Sequence, residues 1–302
     1  MAIFKALLLA SAALVASSAL GAAADLMSPP PAAQPPVAIA PAPVDFGPGS
    51  GWYLRGDVGI GASANTPTMV DSINNLAGLS GAAFENFSNT SLSAAGLIDV
   101  GVGYQLNSWL RGDVTAEYRG GSHFQSLYNL NDPGKLQYAD FYRGDMSSIV
   151  GLFNGYADLG TWSGITPYLG AGVGVARNTV SGFTDQGFGY VGNVGTGPAG
   201  GYFSDKSKVN FAWALMAGVG LDITQNVKLD LGYRYLNLGK MQTGLSNCLN
   251  GTGSGSGFSC TGHSLSSSNT LASNDFRIGL RWMLSDVGAP APQPLPPLVR
   301  KY

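Results

Sequence analysis

Between residues 51 and 284, hydrophobic and polar positions alternate with a period of two in one segment after another. In residues 51–62, Trp52, Leu54, Val58 and Ile60 share one face, and Tyr53, Arg55, Asp57 and Gly59 share the other. Successive side chains of a strand point to opposite faces, so such a segment is apolar on one side only. The same reading holds for residues 95–106, 109–119, 165–177, 209–221, 227–236 and 274–284, and less regularly for 146–159. These segments predict an all-β chain of eight strands.

A soluble sandwich of two sheets would alternate in the same way, so the connections decide between architectures. Those after the second, fourth and sixth strands are short: Asn107-Ser108, Gly160 to Gly164, and Ile223 to Asn226. Those after the first, third, fifth and seventh are long, at 63–92, 120–144, 178–205 and 238–272. Sorting loops by length to opposite ends is the habit of an outer-membrane barrel, with tight periplasmic turns and long outer loops. The expected fold is therefore an eight-stranded antiparallel up-and-down transmembrane β-barrel over residues 51–284. On its apolar face, Trp52, Tyr104 and Trp282 are expected near the periplasmic rim, and Tyr118, Tyr235 and Phe276 near the outer rim, as two interfacial girdles.

The chain ends read differently. Lys5, the apolar run Ala6 to Leu20 and the small residues Ala22-Ala23-Ala24 have the form of an export signal over residues 1–24. Residues 25–50 and 285–302 are Pro-rich and predict extended, disordered periplasmic segments flanking the barrel.

Composition narrows the function classes. Only 11% of residues are charged and the net charge is −2, against about 25% charged in a soluble domain. Without a basic stripe, nucleic acid is not an expected partner. The charges that do occur fall on the inward face: Arg55, Arg111, Arg119, Lys228, Arg234, Arg277 and Arg281 against Asp57, Asp99, Asp113, Glu117, Asp230 and Asp275. Eight strands leave an interior only wide enough for side chains, and an unpaired buried charge costs several kcal/mol. These residues are expected to form a salt-bridged plug.

Cys248 and Cys260 lie in one Gly/Ser-rich segment, and in an exported protein they are expected to form a disulfide. No metal or cofactor is expected. His123 and His263 fall in predicted loops with no acidic neighbour in sequence. Asp113 and Glu117 share a strand face, as an acid–base pair would, but barrel packing explains the pattern, and no enzymatic activity is expected. The spacing Gly195-Thr196-Gly197-Pro198-Ala199-Gly200 matches a dinucleotide fingerprint but lacks the strand–helix context, and reads as loop composition. Of three Arg-Gly-Asp triplets, those at 55–57 and 111–113 place Arg and Asp inward; only Arg143-Gly144-Asp145 is expected to reach the surface.

Three stretches resemble alphaproteobacterial outer-membrane surface antigens, a group that includes porin-family and OmpA-like barrels. They are Gly51-Trp52-Tyr53-Leu54-Arg55-Gly56-Asp57-Val58-Gly59, Thr166-Pro167-Tyr168-Leu169-Gly170-Ala171-Gly172-Val173-Gly174, and Leu229-Asp230-Leu231-Gly232-Tyr233-Arg234-Tyr235. The resemblance covers residues 51–284 without the loop interiors. The last strand also resembles the signal read by the outer-membrane assembly machinery, carried here by Arg277, Gly279, Trp282 and Leu284. Members of the group often end at an aromatic in this strand, whereas this chain continues to Tyr302.

The resemblance and the residues together imply the outer membrane of a Gram-negative cell. The expected role is structural, in envelope integrity and surface presentation. Two alternatives are a narrow channel for ions or small solutes and an adhesin or host-interaction surface. Expected partners are outer-membrane lipid and the assembly machinery, with peptidoglycan or host surfaces as further candidates.

Overall fold

A computed structural model of the chain describes residues 50–72, 83–132, 135–191, 194–248 and 262–284. The export signal, both Pro-rich segments and the Cys248–Cys260 pairing lie outside the described residues.

Alternating residues form strands because their two faces meet two environments. In chain order these are β1 (Gly51–Ser63), β2 (Met69–Asp71), β3 (Phe84–Leu92), β4 (Ala95–Gln105) and β5 (Leu110–Asp132). Next come β6 (Lys135–Asp158), β7 (Ile165–Val191), β8 (Val194–Phe203) and β9 (Lys206–Asp222). The last are β10 (Val227–Gly239), β11 (Ser246–Cys248), β12 (Leu265–Ser267) and β13 (Leu271–Met283). Antiparallel pairing runs β7-β6-β5-β4-β1-β13-β10-β9 and returns to β7 through Ile165–Val180 against Lys206–Leu221. Those members make a closed barrel, so the wall has no free edge. β2, β3, β8, β11 and β12 lie off the ring: β3 pairs with β5, β8 with β7, β11 with β8, and β12 with β2.

The lower part of the wall is inside out compared with a soluble protein. Val58, Val100, Val114, Phe153, Leu169, Phe211, Ile278 and Leu280 all point outward and are exposed. The aromatic residues follow the two rims: Trp52 packs edge-on against Tyr104 at 5.2 Å, while Tyr233 packs on Phe276 at 5.7 Å towards the other end. Tyr235 is half-buried, with Trp213 of β9 5.4 Å away.

The outer connections correct the sequence reading. Residues 120–144 and 178–205 were expected as long loops; instead β5, β6 and β7 run on through them as strands, and β8 forms in the second. Alternation continues there with its polarity reversed. On β5, Phe124, Ser126, Tyr128 and Leu130 are buried, whereas His123 and Gln125 are exposed. The changeover falls at a bulge between Arg119 and Ser122, where Gly121 takes a φ of 76°, a left-handed conformation that suits glycine. Above this level the strands build a head with a soluble protein's polarity. Its core joins Met69, Phe124, Tyr128, Leu130, Tyr142, Phe183, Phe203, Leu236, Met241 and Leu265. Each such side chain, fully buried, contributes roughly 1.5–3 kcal/mol. The segment 195–200, expected as loop, is part of β8.

Candidate functional site

Inside the wall, the barrel holds its inward charges in tiers whose contacts join neighbouring strands and also cross the lumen between strands that are not neighbours in the ring. The outer tier centres on Asp275 of β13. Arg119 of β5 grips its two oxygens at 2.7 and 2.8 Å and also donates to Glu117 at 3.1 Å. Arg234 of β10 donates to the same Asp275 at 2.9 Å through Nε and to Glu117 at 2.6 Å through Nη2. Planar, two-toothed arginine–carboxylate contacts of this kind are stronger than neutral hydrogen bonds and fix geometry.

The middle tier lies one step lower. Arg55 donates to both oxygens of Asp57 at 2.8 and 2.9 Å, to Asp113 at 3.0 Å and to the Tyr156 hydroxyl at 2.8 Å. Asp113 accepts further from Tyr53 at 3.0 Å and from Asn154 at 2.8 Å. Arg277 lies between Asp57, 3.0 Å away, and Asp99.

The lowest tier faces the short turns. Arg111 donates to Asp158 at 3.1 Å, and its guanidinium lies 4.1 Å from the centre of the Tyr156 ring and 4.8 Å from that of Tyr168. Arginine faces aromatic π-systems favourably, more so when water is excluded. Tyr168 reaches the axis because Gly218 and Gly232 face it; a β-carbon on either would come within 2.7 Å of its hydroxyl. Arg281 pairs with Asp230 at 3.1 Å.

The structure therefore brings twelve of the thirteen inward charges named from sequence into the lumen and leaves one outside. Lys228 reaches Asp222 at 2.7 Å with its side chain 24% exposed. It is the second residue of β10, at the end of the strand where inward parity no longer means depth, so it is corrected to a rim pair. Asp158, Tyr53, Tyr156, Tyr168, Asn154 and Ser273 belong to the network and were not named among its charges. Asp158 had the parity, but it ends the least regular segment. Asp113 is held by Arg55, Tyr53 and Asn154, and Glu117 by Arg119 and Arg234. Two small cavities of about 30 and 10 Å³ adjoin the network, the first lined by Arg119, Ser148 and Ala272, the second by Arg55, Tyr156 and Arg277. A single water needs roughly 10–15 Å³ of such space.

The remaining sequence candidates are placed as follows. On β13, Arg277 is inside, while Trp282, and Leu284 just past the strand's end, are exposed. His123 is on β5 rather than in a loop and pairs with Asp145 at 2.5 Å on the surface. His263 is buried and takes Asp71 at 2.9 Å. Both histidines thus have acidic neighbours supplied by strand pairing, which sequence distance hides. Arg143 and Asp145 are exposed but sit within β6, with Gly144 buried between them. Among the described residues, no group of three or more His, Cys, Asp or Glu could hold a metal ion.

An antiparallel barrel with an apolar outer wall, a charged interior and short turns at one end is a transmembrane β-barrel. The chain belongs to the outer membrane protein beta-barrel domain family, whose model matches residues 38–282, and it resides in the outer membrane of a Gram-negative cell. It is similar to an uncharacterized protein of Brucella abortus (strain 2308), 33% identical over 204 residues that make up 63% of this chain and 68% of that one. The outer membrane protein PagN of Salmonella typhimurium is 28% identical over 180 residues, 59% of this chain and 63% of PagN. A Rickettsia prowazekii putative adhesin is 26% identical over 197 residues, 64% and 74% of the two chains. Among solved structures, Neisserial surface protein A aligns with 78% of this chain and 99% of its own at 16% identity, with a TM-score of 0.40.

Proposed function

We propose that this protein is a non-conducting barrel whose plugged lumen makes it a rigid pillar in the outer membrane and whose head is the surface it presents. The observation that carries the reading is that each lumen arginine meets a carboxylate: Arg55, Arg111, Arg119, Arg234, Arg277 and Arg281 all have one at hydrogen-bond distance, although both Nη atoms of Arg111 and Nε of Arg277 and of Arg281 are buried without a partner. A hydrated pore leaves such charges facing water. Here they face one another, so moving an ion through would require breaking buried pairs at several kcal/mol each. In this reading catalysis has no part. Outer-membrane lipid covers the apolar wall, and β13 with the residue that follows it, carrying Arg277, Gly279, Trp282 and Leu284, is the segment the assembly machinery engages.

A strain lacking the protein should become more sensitive to detergents and bile salts while small-solute influx stays the same. Restoring the full chain should reverse the sensitivity. Unchanged sensitivity together with slower solute influx in the deletion strain would replace the pillar with the channel.

A second reading, adhesion through the head, is favoured by the Rickettsia prowazekii relative that bears the name putative adhesin. It predicts that cells displaying the protein bind host surfaces, and that trimming the connection 238–272 abolishes the binding while the barrel still assembles.

A further inference from the structure

Six arginines of the wall point into the lumen and meet carboxylates there, whereas Arg177 of β7 points outward and is exposed. Its ladder row is otherwise apolar. Arg177 lies opposite Ile149 of β6 on one side and Val209 of β9 on the other, and Ile149 lies opposite Tyr118 of β5. Tyr118, Ile149 and Val209 are all exposed on the lipid-facing side. One row below on the same face, Val175 and Phe211 lie opposite each other and are also exposed.

The next outward row above changes chemistry. Ser147, Thr179 and Ser207 follow one another across β6, β7 and β9. Thr179 Oγ1 and Ser207 Oγ share a hydrogen bond of 2.9 Å, and Arg177 Nη2 donates to the same Ser207 oxygen at 3.3 Å. The guanidinium therefore reaches up from the apolar row towards the hydroxyls, as a long cationic side chain does at a hydrocarbon edge. A guanidinium carries five N–H donors, yet this is its one hydrogen bond among the described residues, and it has no ion pair there. The carboxylates further up on this side are engaged: Asp145 pairs with His123, and Asp205 accepts from the Gly182 amide at 3.2 Å. Lys206, beside Ser207 in the chain, is exposed and adds a second positive charge.

A charge facing lipid costs most at mid-bilayer and little at the interface, where headgroups reach it. At the level where the apolar wall ends, the anion within reach is the phosphate of a lipid headgroup. Arginine suits it, because its planar fork takes two phosphate oxygens at once. Of the two hydroxyls beside the fork, one donates to the other, so the second keeps its proton for a third phosphate oxygen.

We propose that Arg177, Thr179 and Ser207 hold the phosphate of one outer-leaflet lipid, whose acyl chains run down the wall over Val175 and Phe211. The site rests on the chain's place in the outer membrane and is independent of whether the lumen conducts.

Native mass spectrometry of the full chain, refolded in detergent micelles, tests this with dioleoyl phosphatidic acid against dioleoyl phosphatidylcholine. The two probes share their acyl chains and differ in whether choline caps the phosphate. One phosphatidic acid molecule should stay bound at a concentration that leaves phosphatidylcholine unbound. Arg177→Gln should weaken retention about tenfold, as loss of a charge-assisted contact does, and Thr179→Val with Ser207→Ala should weaken it less. Arg143→Gln, in the head, should leave it unchanged. Equal retention of the two lipids by the unaltered protein overturns the proposal, and so does undiminished retention in Arg177→Gln or in the hydroxyl variant. A loss in Arg143→Gln as large as in Arg177→Gln overturns it too, because the attraction would then be to diffuse positive charge. Heat-modifiable mobility checks that each variant is folded. If Arg177→Gln is not, the hydroxyl variant decides: weakened retention supports the proposal and undiminished retention overturns it.

Discussion

Arg234 and Asp275, on neighbouring strands β10 and β13, face each other across the ladder and meet inside the barrel, Nε at 2.9 Å and Nη2 at 2.7 Å from the same carboxylate oxygen. Asp275 has no exposed surface and also holds Arg119 by both its oxygens. One carboxylate thus ties β5, β10 and β13 across the lumen.

Replacing that carboxylate leaves two guanidinium groups buried together. Asp275→Ala should cost about 3–5 kcal/mol, the range for breaking a buried ion pair from one side. Lys228→Ala, at the half-exposed rim pair with Asp222, should change stability by no more than about 1 kcal/mol. Urea unfolding of the refolded protein in micelles measures both. Equal effects would mean that the interior pairs are solvated like the rim pair.

The reversal of polarity along the wall gives a second contrast. Phe153 points outward at mid-wall and is 65% exposed, in contact with hydrocarbon. Gln125 points outward on β5 above the bulge, in water. Phe153→Arg should cost about 2–4 kcal/mol, as a charge at the bilayer midplane does, and Gln125→Arg should be nearly neutral. Unfolding from lipid vesicles compares them. A similar penalty at Gln125 would put the membrane boundary above the bulge.

Aromatic rings pack on one another in the head, within an apolar cluster that runs on to Leu152, Tyr156 and Tyr168 of the wall. Phe183 contacts Phe124 at 5.6 Å, Tyr142 at 5.8 Å and Phe203 at 5.2 Å. Phe183→Ala should remove about 3–5 kcal/mol from the head, seen as faster protease cleavage of its connections, while the heat-modifiable mobility of the barrel persists. Loss of both together would mean that head and wall unfold as one unit.

The wall was legible in the sequence because hydrocarbon outside and charge inside impose opposite chemistry on alternate residues. Arg55 with Asp57, and Glu117 with Arg119, announce their face by spacing alone. The head was less legible, although its pattern is as strict. Phe124, Tyr128 and Leu130 alternate with polar residues, but Gly120-Gly121 interrupts the phase and the apolar face changes sides. A reader following one polarity stops at the glycines. Lys228 was misplaced because parity fixes which way a side chain points and not how deep it lies. Asp71 and His263 are 192 residues apart, and only the pairing of β2 with β12 brings them together.

A lumen closed by its own charges does not conduct, and planar-bilayer conductance of the refolded full chain tests this most directly. Demonstrably folded protein should give no steady channels, and Asp275→Ala together with Arg234→Ala should begin to open them. Steady, ion-selective openings from the unaltered protein would contradict the account and make the barrel a channel.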